Sequence, residues 1–133
     1  MKGKQLLRKL KPYEGFFIWN SKYKFLPWLE ENMHIWEAFE VHADAAVRNG
    51  KEKLGARVIA EIARYYSPLA DNTGPWKYNH NYSPDLARTY VILHPKSAFL
   101  WIYHRKDWPL FLQTVADMEG YYIHPPLPPP KQA

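Results

Sequence analysis

The chain has 133 residues, with 18 Lys plus Arg against 13 Asp plus Glu, no cysteine, and 6 Trp, 10 Tyr and 6 Phe. One domain is expected at this length, large enough to bury a core without disulfides or a structural metal. The missing cysteine excludes a thiol nucleophile, a disulfide frame and every thiolate-ligated zinc or iron–sulfur centre.

The net charge of +5 is arranged in blocks. Residues 1–24 hold seven bases (Lys2, Lys4, Arg8, Lys9, Lys11, Lys22, Lys24) and one acid, Glu14. Residues 30–44 hold five acids (Glu30, Glu31, Glu37, Glu40, Asp44) and no Lys or Arg. Residues 48–106 turn basic again, with ten bases to four acids. If the blocks stay apart in the fold, the basic face favours an anionic partner; the plainer alternative is a set of solvated faces. No apolar stretch of signal-peptide length follows the basic start, and 16–19 is far too short to cross a membrane. A soluble, cytoplasmic protein is therefore expected.

Along the chain, 2–11 reads as a short basic helix or a mobile arm, with Leu6, Leu7 and Leu10 at helical spacing. Pro12, Gly15 and Pro27 punctuate an aromatic-rich stretch at 13–28 that reads as loop, with room for a short strand. A helix is expected over 28–48, where Ile35, Phe39, Ala43 and Ala46 recur with Trp36 and Val47 beside them. Asn49-Gly50 is its stop signal. A second helix is expected over 53–66, with Leu54, Val58, Ile62 and Tyr65 as its inner stripe and Arg57–Glu61 as an outward pair. Residues 71–75 form a turn by composition and 76–79 a short strand. Ser83 as N-cap, Pro84 and Asp85 start a third helix over 83–93, burying Leu86, Tyr90 and Leu93. Residues 97–104 (SAFLWIYH) read as a second strand, and Asp107 with Pro109 opens a fourth helix ending at Gly120. The prolines of 125–130 require an extended, coreless tail.

The expected fold is mainly α with some β: a helical domain carrying a small two-stranded antiparallel sheet, in an element order like that of helix-turn-helix and winged-helix modules. It divides into a basic aromatic arm (1–27), a globular domain (28–122) and a disordered proline-rich tail (123–133).

Between Ile35 and Pro95 the chain combines Trp36-x-x-Phe39, then Gly55-Ala56-x-x-Ile59-x-x-Ile62-Ala63-Arg64, then Lys77-Tyr78-Asn79-x-Asn81-Tyr82-x-Pro84-x-x-Ala87-Arg88. This resembles a group of small uncharacterised proteins of bacterial genomes and prophages, and covers roughly the middle half of the chain. The resemblance implies a bacterial or phage origin and brings no activity, cofactor or catalytic residue.

Two functions are expected from the residues. The first is a non-enzymatic, phage-type regulatory protein that binds DNA. Asn79, Asn81, Ser83 and Arg88 would read a groove from the start of the third helix while Lys4, Arg8, Lys9, Lys11 and Lys77 hold phosphates. Its plain counterpart has the asparagines bonding turn backbone and Arg88 pairing with Asp85. The second is a protein-binding inhibitor of a host machine. It would act through the acidic helix (Glu30, Glu31, Glu37, Glu40) or through surplus aromatics such as Trp101 and Trp108. Glu31-x-x-His34 has one half of a di-iron spacing but no second half. There is no Gly-x-Ser-x-Gly turn, phosphate-binding Gly-Lys loop or dinucleotide fingerprint. No metal, cofactor or catalytic residue is expected.

Overall fold

Helix-forming runs interrupted by Asn32, Gly50, Pro95 and Gly120 set the element order. The computed structural model describes residues 3–67, 78–98, 101 and 106–120. Among them lie six α-helices: α1 (Gly3–Leu10), α2 (Phe25–Glu31), α3 (Met33–Arg48), α4 (Ala56–Tyr66), α5 (Ser83–Leu93) and α6 (Trp108–Glu119). Short segments of 3-10 helix occupy Lys11–Phe16, His80–Tyr82 and Pro95–Ser97.

The helix expected over 28–48 is two helices broken at Asn32. This buried residue has φ −129° and ψ 39°. Its N–H donates to the Leu29 carbonyl (3.1 Å) and its side-chain amide to the Trp28 carbonyl (2.8 Å). An asparagine amide that captures backbone in this way competes with continuous helix. Beyond it, Ile35, Phe39 and Ala43 form the buried stripe that their spacing predicts, with Trp36 alongside. Gly50, at φ +75°, closes α3 as the Asn-Gly signal predicts. Its N–H bonds the Val47 carbonyl (3.0 Å) and that of Lys51 the Ala46 carbonyl (3.1 Å), a Schellman pair that satisfies the last carbonyls of the helix.

Residues 3–27 contribute to the core. Leu6, Leu10, Tyr13, Phe17 and Phe25 are buried in the same core as Trp36, Phe39, Tyr90 and Phe111. Lys9 on α1 bonds Glu119 at the end of α6 (2.7 Å), and the Tyr13 hydroxyl donates to the other oxygen of that carboxylate (3.1 Å).

The two-stranded sheet is corrected: no strand is formed among the described residues. Within the expected first strand, Tyr78 and Asn79 have no ladder partner, and 76–77 lie outside the described residues. In the expected second strand, Ser97 sits in a 3-10 turn and Trp101 makes a single parallel bridge to Leu54; most of the remainder lies outside the described residues. The Trp101 ring is core: it stacks on Phe39 (5.8 Å, 10°), meets Tyr90 edge-on (5.4 Å), and donates its indole N–H to Ser97 Oγ (3.2 Å). With no strand among the described residues, the winged-helix likeness lapses.

α5 is the central helix, buried on nearly every side from Ser83 to Ile92. Its approach is capped earlier than expected. Asn79, not Ser83, supplies the cap, its side chain accepting from the Asn81 N–H (2.8 Å) ahead of the His80–Tyr82 turn. α6 runs as predicted from the Asp107–Pro109 start to Gly120, which ends it at φ +64°.

Candidate functional site

Of the residues expected to read DNA, Asn79 and Asn81 adjoin on the surface, while Ser83 and Arg88 are buried. The Arg88 side chain is enclosed, with 3% of the residue exposed. It donates from Nη1 to Asp85 Oδ1 and from Nη2 to Asp107 Oδ1, both at 2.8 Å, and lies over the rings of Trp108 (5.4 Å) and Phe111 (5.8 Å). The second oxygen of Asp85 accepts the Ile18 N–H (2.9 Å), which ties the loop before α2 to the same cluster. A guanidinium held by two carboxylates and two rings fixes α5 to α6 and cannot enter a groove. The pairing with Asp85, the plain alternative that the sequence offers, is the one formed.

Ser83 is also interior, bonded to the Tyr78 hydroxyl. Burial pushes the Tyr78 phenol up to about 12, against the smaller opposing effect of the Ser83 bond. Lys9 is paired with Glu119 and, at a more exposed position, Lys11 with Glu14 (2.8 Å). Lys4 and Arg8 are exposed on α1. Lys77 lies outside the described residues. Asn79 and Asn81 are exposed, and the Asn79 amide reaches the Tyr23 hydroxyl (3.4 Å). That contact sets the asparagines beside a tight loop carrying Lys22, Lys24 and Trp19, which is 65% exposed.

The alternative site is redrawn as well. Trp101 and Trp108 are core residues, 2% and 1% exposed. Glu40 is engaged by His94 Nε2 at 2.9 Å, while Asp44 accepts from the Tyr90 hydroxyl at 2.5 Å; together they clasp α3 to the end of α5. Burial and then the Asp44 carboxylate raise the Tyr90 phenol. Glu30, Glu31 and Glu37 remain on the surface. No group of three or more His, Asp or Glu among the described residues is arranged to hold a metal ion.

The largest departure from the sequence reading is α4. Val58, Ile62 and Tyr65, expected inside, are 60%, 37% and 79% exposed, and Tyr66 is 67% exposed. The helix instead buries Ala56, Ile59, Ala60 and Ala63. Those small side chains allow α4 to sit close against α3 and α5. Both faces of α4 are apolar, so helical periodicity marks two stripes and cannot choose between them. A stripe of alanines opposite a stripe of bulkier residues is the signal that could have decided it.

Two i,i+4 rows run along the outward face, Arg57–Glu61–Tyr65 and Val58–Ile62–Tyr66. They line an open groove of about 480 Å³. Tyr65 and Tyr66 meet edge to face at 5.0 Å, and His42 of α3 stacks on Tyr66 at 5.7 Å. Glu61 lies 3.5 Å from His80 Nε2, whereas Arg57 and Arg64 join no ion pair among the described residues.

Comparison with family models, with curated proteins and with solved structures gave no match for this chain. Among the described residues, no helix is long and apolar enough to cross a membrane.

Proposed function

We propose that the chain is a non-enzymatic protein-binding module that docks through the outer face of α4. The observation that carries this reading is one contiguous row of exposed large apolar side chains, Val58, Ile62 and Tyr66, with Tyr65 beside it. Scattered apolar residues are ordinary on a surface, but a continuous patch rimmed by charge is characteristic of an interface. Covering each of these side chains contributes on the order of 1–2 kcal/mol, and tyrosine is among the residues in which interface energy concentrates. This is the second of the two functions expected from the sequence, moved from the acidic helix and the interior tryptophans to α4.

The test is selection of a displayed random-peptide library on the wild-type chain and on an Ile62→Asp/Tyr65→Ser variant, with folding checked by circular dichroism. Peptides that bind the wild type and not the variant are expected. Selection of the same peptides by both chains, or of none by either, would overturn the reading.

One observation favours a second reading. The Asn79–Tyr23 contact joins exposed Asn79 and Asn81 to Trp19, Lys22 and Lys24, a combination of stacking ring and cations suited to single-stranded nucleic acid. On that reading, Lys22→Glu/Lys24→Glu abolishes a salt-sensitive anisotropy change with labelled single-stranded DNA. No change with the wild type at about 50 mM salt removes it.

A further inference from the structure

We propose that the cavity beside Trp19 takes one unstacked base of a single-stranded nucleic acid, a base bearing an exocyclic amine, with Glu14 as the acceptor of that amine. The proposal rests on the single-strand reading of Trp19, Lys22 and Lys24 and adds the base that this surface selects.

The loop that carries Trp19 is tightly tied. Trp19 and Lys24 form an antiparallel bridge, and the Phe25 N–H donates to the Ile18 carbonyl (3.0 Å). Between them Asn20 Oδ1 accepts the N–H groups of Lys22 (2.8 Å) and Tyr23 (2.7 Å), while the Asn20 N–H donates to the Tyr23 carbonyl (2.8 Å). The Ile18 N–H is bonded to Asp85 of the Arg88 cluster. The backbone is thus fixed at both ends and across its turn, yet the indole it presents is 65% exposed. A ring held out on such a loop stacks on a ligand with little ordering cost.

Glu14, Phe17, Ile18, Trp19 and Leu26 line a cavity of about 220 Å³ at this loop. That is below the roughly 300–1,000 Å³ of a pocket for a drug-sized ligand, so it admits one ring system rather than a whole cofactor. Its lining is apolar and partly aromatic except for Glu14, which suits a flat ring with a polar edge.

The polar groups narrow the choice of ring. Glu14 Oε2 accepts from Lys11, and Oε1 accepts no hydrogen bond among the described residues. A phenyl ring of a partner protein would leave that oxygen without a donor, whereas the amine of cytosine, adenine or guanine supplies one. Lys22 and Lys24 are exposed and join no ion pair among the described residues, and Lys24 Nζ lies 5.3 Å from the centre of the Trp19 ring. Cations so placed disfavour a cationic ligand and favour the phosphates on either side of a stacked base. A ring, an amine donor and flanking anions together describe a nucleotide.

The experiment measures anisotropy of labelled single strands of oligodeoxycytidylate and oligothymidylate, equal in length, with the full chain at about 50 mM salt. Both bases are pyrimidines, and only cytosine carries the amine. The wild type is expected to bind the cytosine strand about 10-fold more tightly, the yield of one hydrogen bond to a charged acceptor. Glu14→Gln, whose amide both accepts and donates, is expected to level the two strands. Freeing Lys11 in that variant raises both affinities alike, so the ratio is the readout. Trp19→Ala removes an exposed ring and is expected to weaken both strands about 10-fold. Equal binding of the two strands by the wild type, or a cytosine preference that Glu14→Gln leaves intact, would overturn the base pocket. If that binding still falls with Trp19→Ala, the single-strand surface stands without the pocket. Absence of binding to either strand removes the single-strand reading and the proposal together.

Discussion

Arg88 and Asp107 stand 19 residues apart in the chain and 2.8 Å apart in space, linking the central helix to the start of α6. Asp85, one turn back on α5, holds the other end of the guanidinium at the same distance. The two carboxylates differ in setting: the Asp85 side chain is 2% exposed and that of Asp107 42%. Arg88→Ala leaves the carboxylate of Asp85 buried without its cation and is expected to cost about 3–5 kcal/mol in urea unfolding. Asp107→Ala removes a partner that water can replace, and about 1 kcal/mol is expected. Equal losses from the two substitutions would show that Arg88 is not the buried centre of the cluster.

The orientation of α4 gives a second contrast. Ile59 is 5% exposed and Tyr65 79%. Ile59→Ala is expected to destabilise by about 2–4 kcal/mol and Tyr65→Ser to stay within about 0.5 kcal/mol. The reverse ranking would restore the stripe of Val58, Ile62 and Tyr65 to the interior.

That contrast marks where the fold is legible in the sequence. α3 and α6 carry both a single apolar stripe and unambiguous stops, Gly50 and Gly120, and their main features follow from local chemistry. α4 carries small apolar residues with Ile59 on one flank and bulky ones on the next, and only its neighbours decide which are covered. The asparagine at 32 reads as one more polar position within a helix, yet its amide turns back onto Trp28. The interior of the candidate DNA site is half legible: the i,i+3 spacing of Asp85 and Arg88 is visible, but Asp107 joins them through tertiary packing. Residues 97–104 have strand propensity, yet Trp101 makes only a single bridge to Leu54 and its ring stacks in the core.

Two glycines with open space around them separate backbone from packing. At neither Gly15 nor Gly50 would an added β-carbon meet a neighbouring atom within 4 Å, but Gly50 alone of the two lies at positive φ, +75°. Gly50→Ala is expected to cost about 1–2 kcal/mol by left-handed strain, and Gly15→Ala less than about 0.5 kcal/mol. Thermal or urea unfolding of the two variants checks this.

Alkaline titration tests the burial of the Tyr78 phenol. Burial raises the Tyr78 phenol from 10.0 to about 12, so the neutral form is favoured in the folded chain. Its contribution to stability is complete below the unfolded value of 10.0 and is lost as pH rises through about 12. Ultraviolet difference spectra are expected to show a late phenol ionisation that Tyr78→Phe removes. An unchanged late phase in that variant would detach the shift from Tyr78, with the raised phenols of Tyr13, Tyr82 and Tyr90 as its remaining sources.

The docking face of α4 is tested most directly by methyl nuclear magnetic resonance of the full chain, titrated with a peptide selected on the wild type. Val58 and Ile62 methyl signals are predicted to shift in proportion to occupancy, while those of Val91 and Ile35, 0% and 1% exposed, stay in place. Silent Val58 and Ile62 methyls in the presence of a bound peptide would contradict the account.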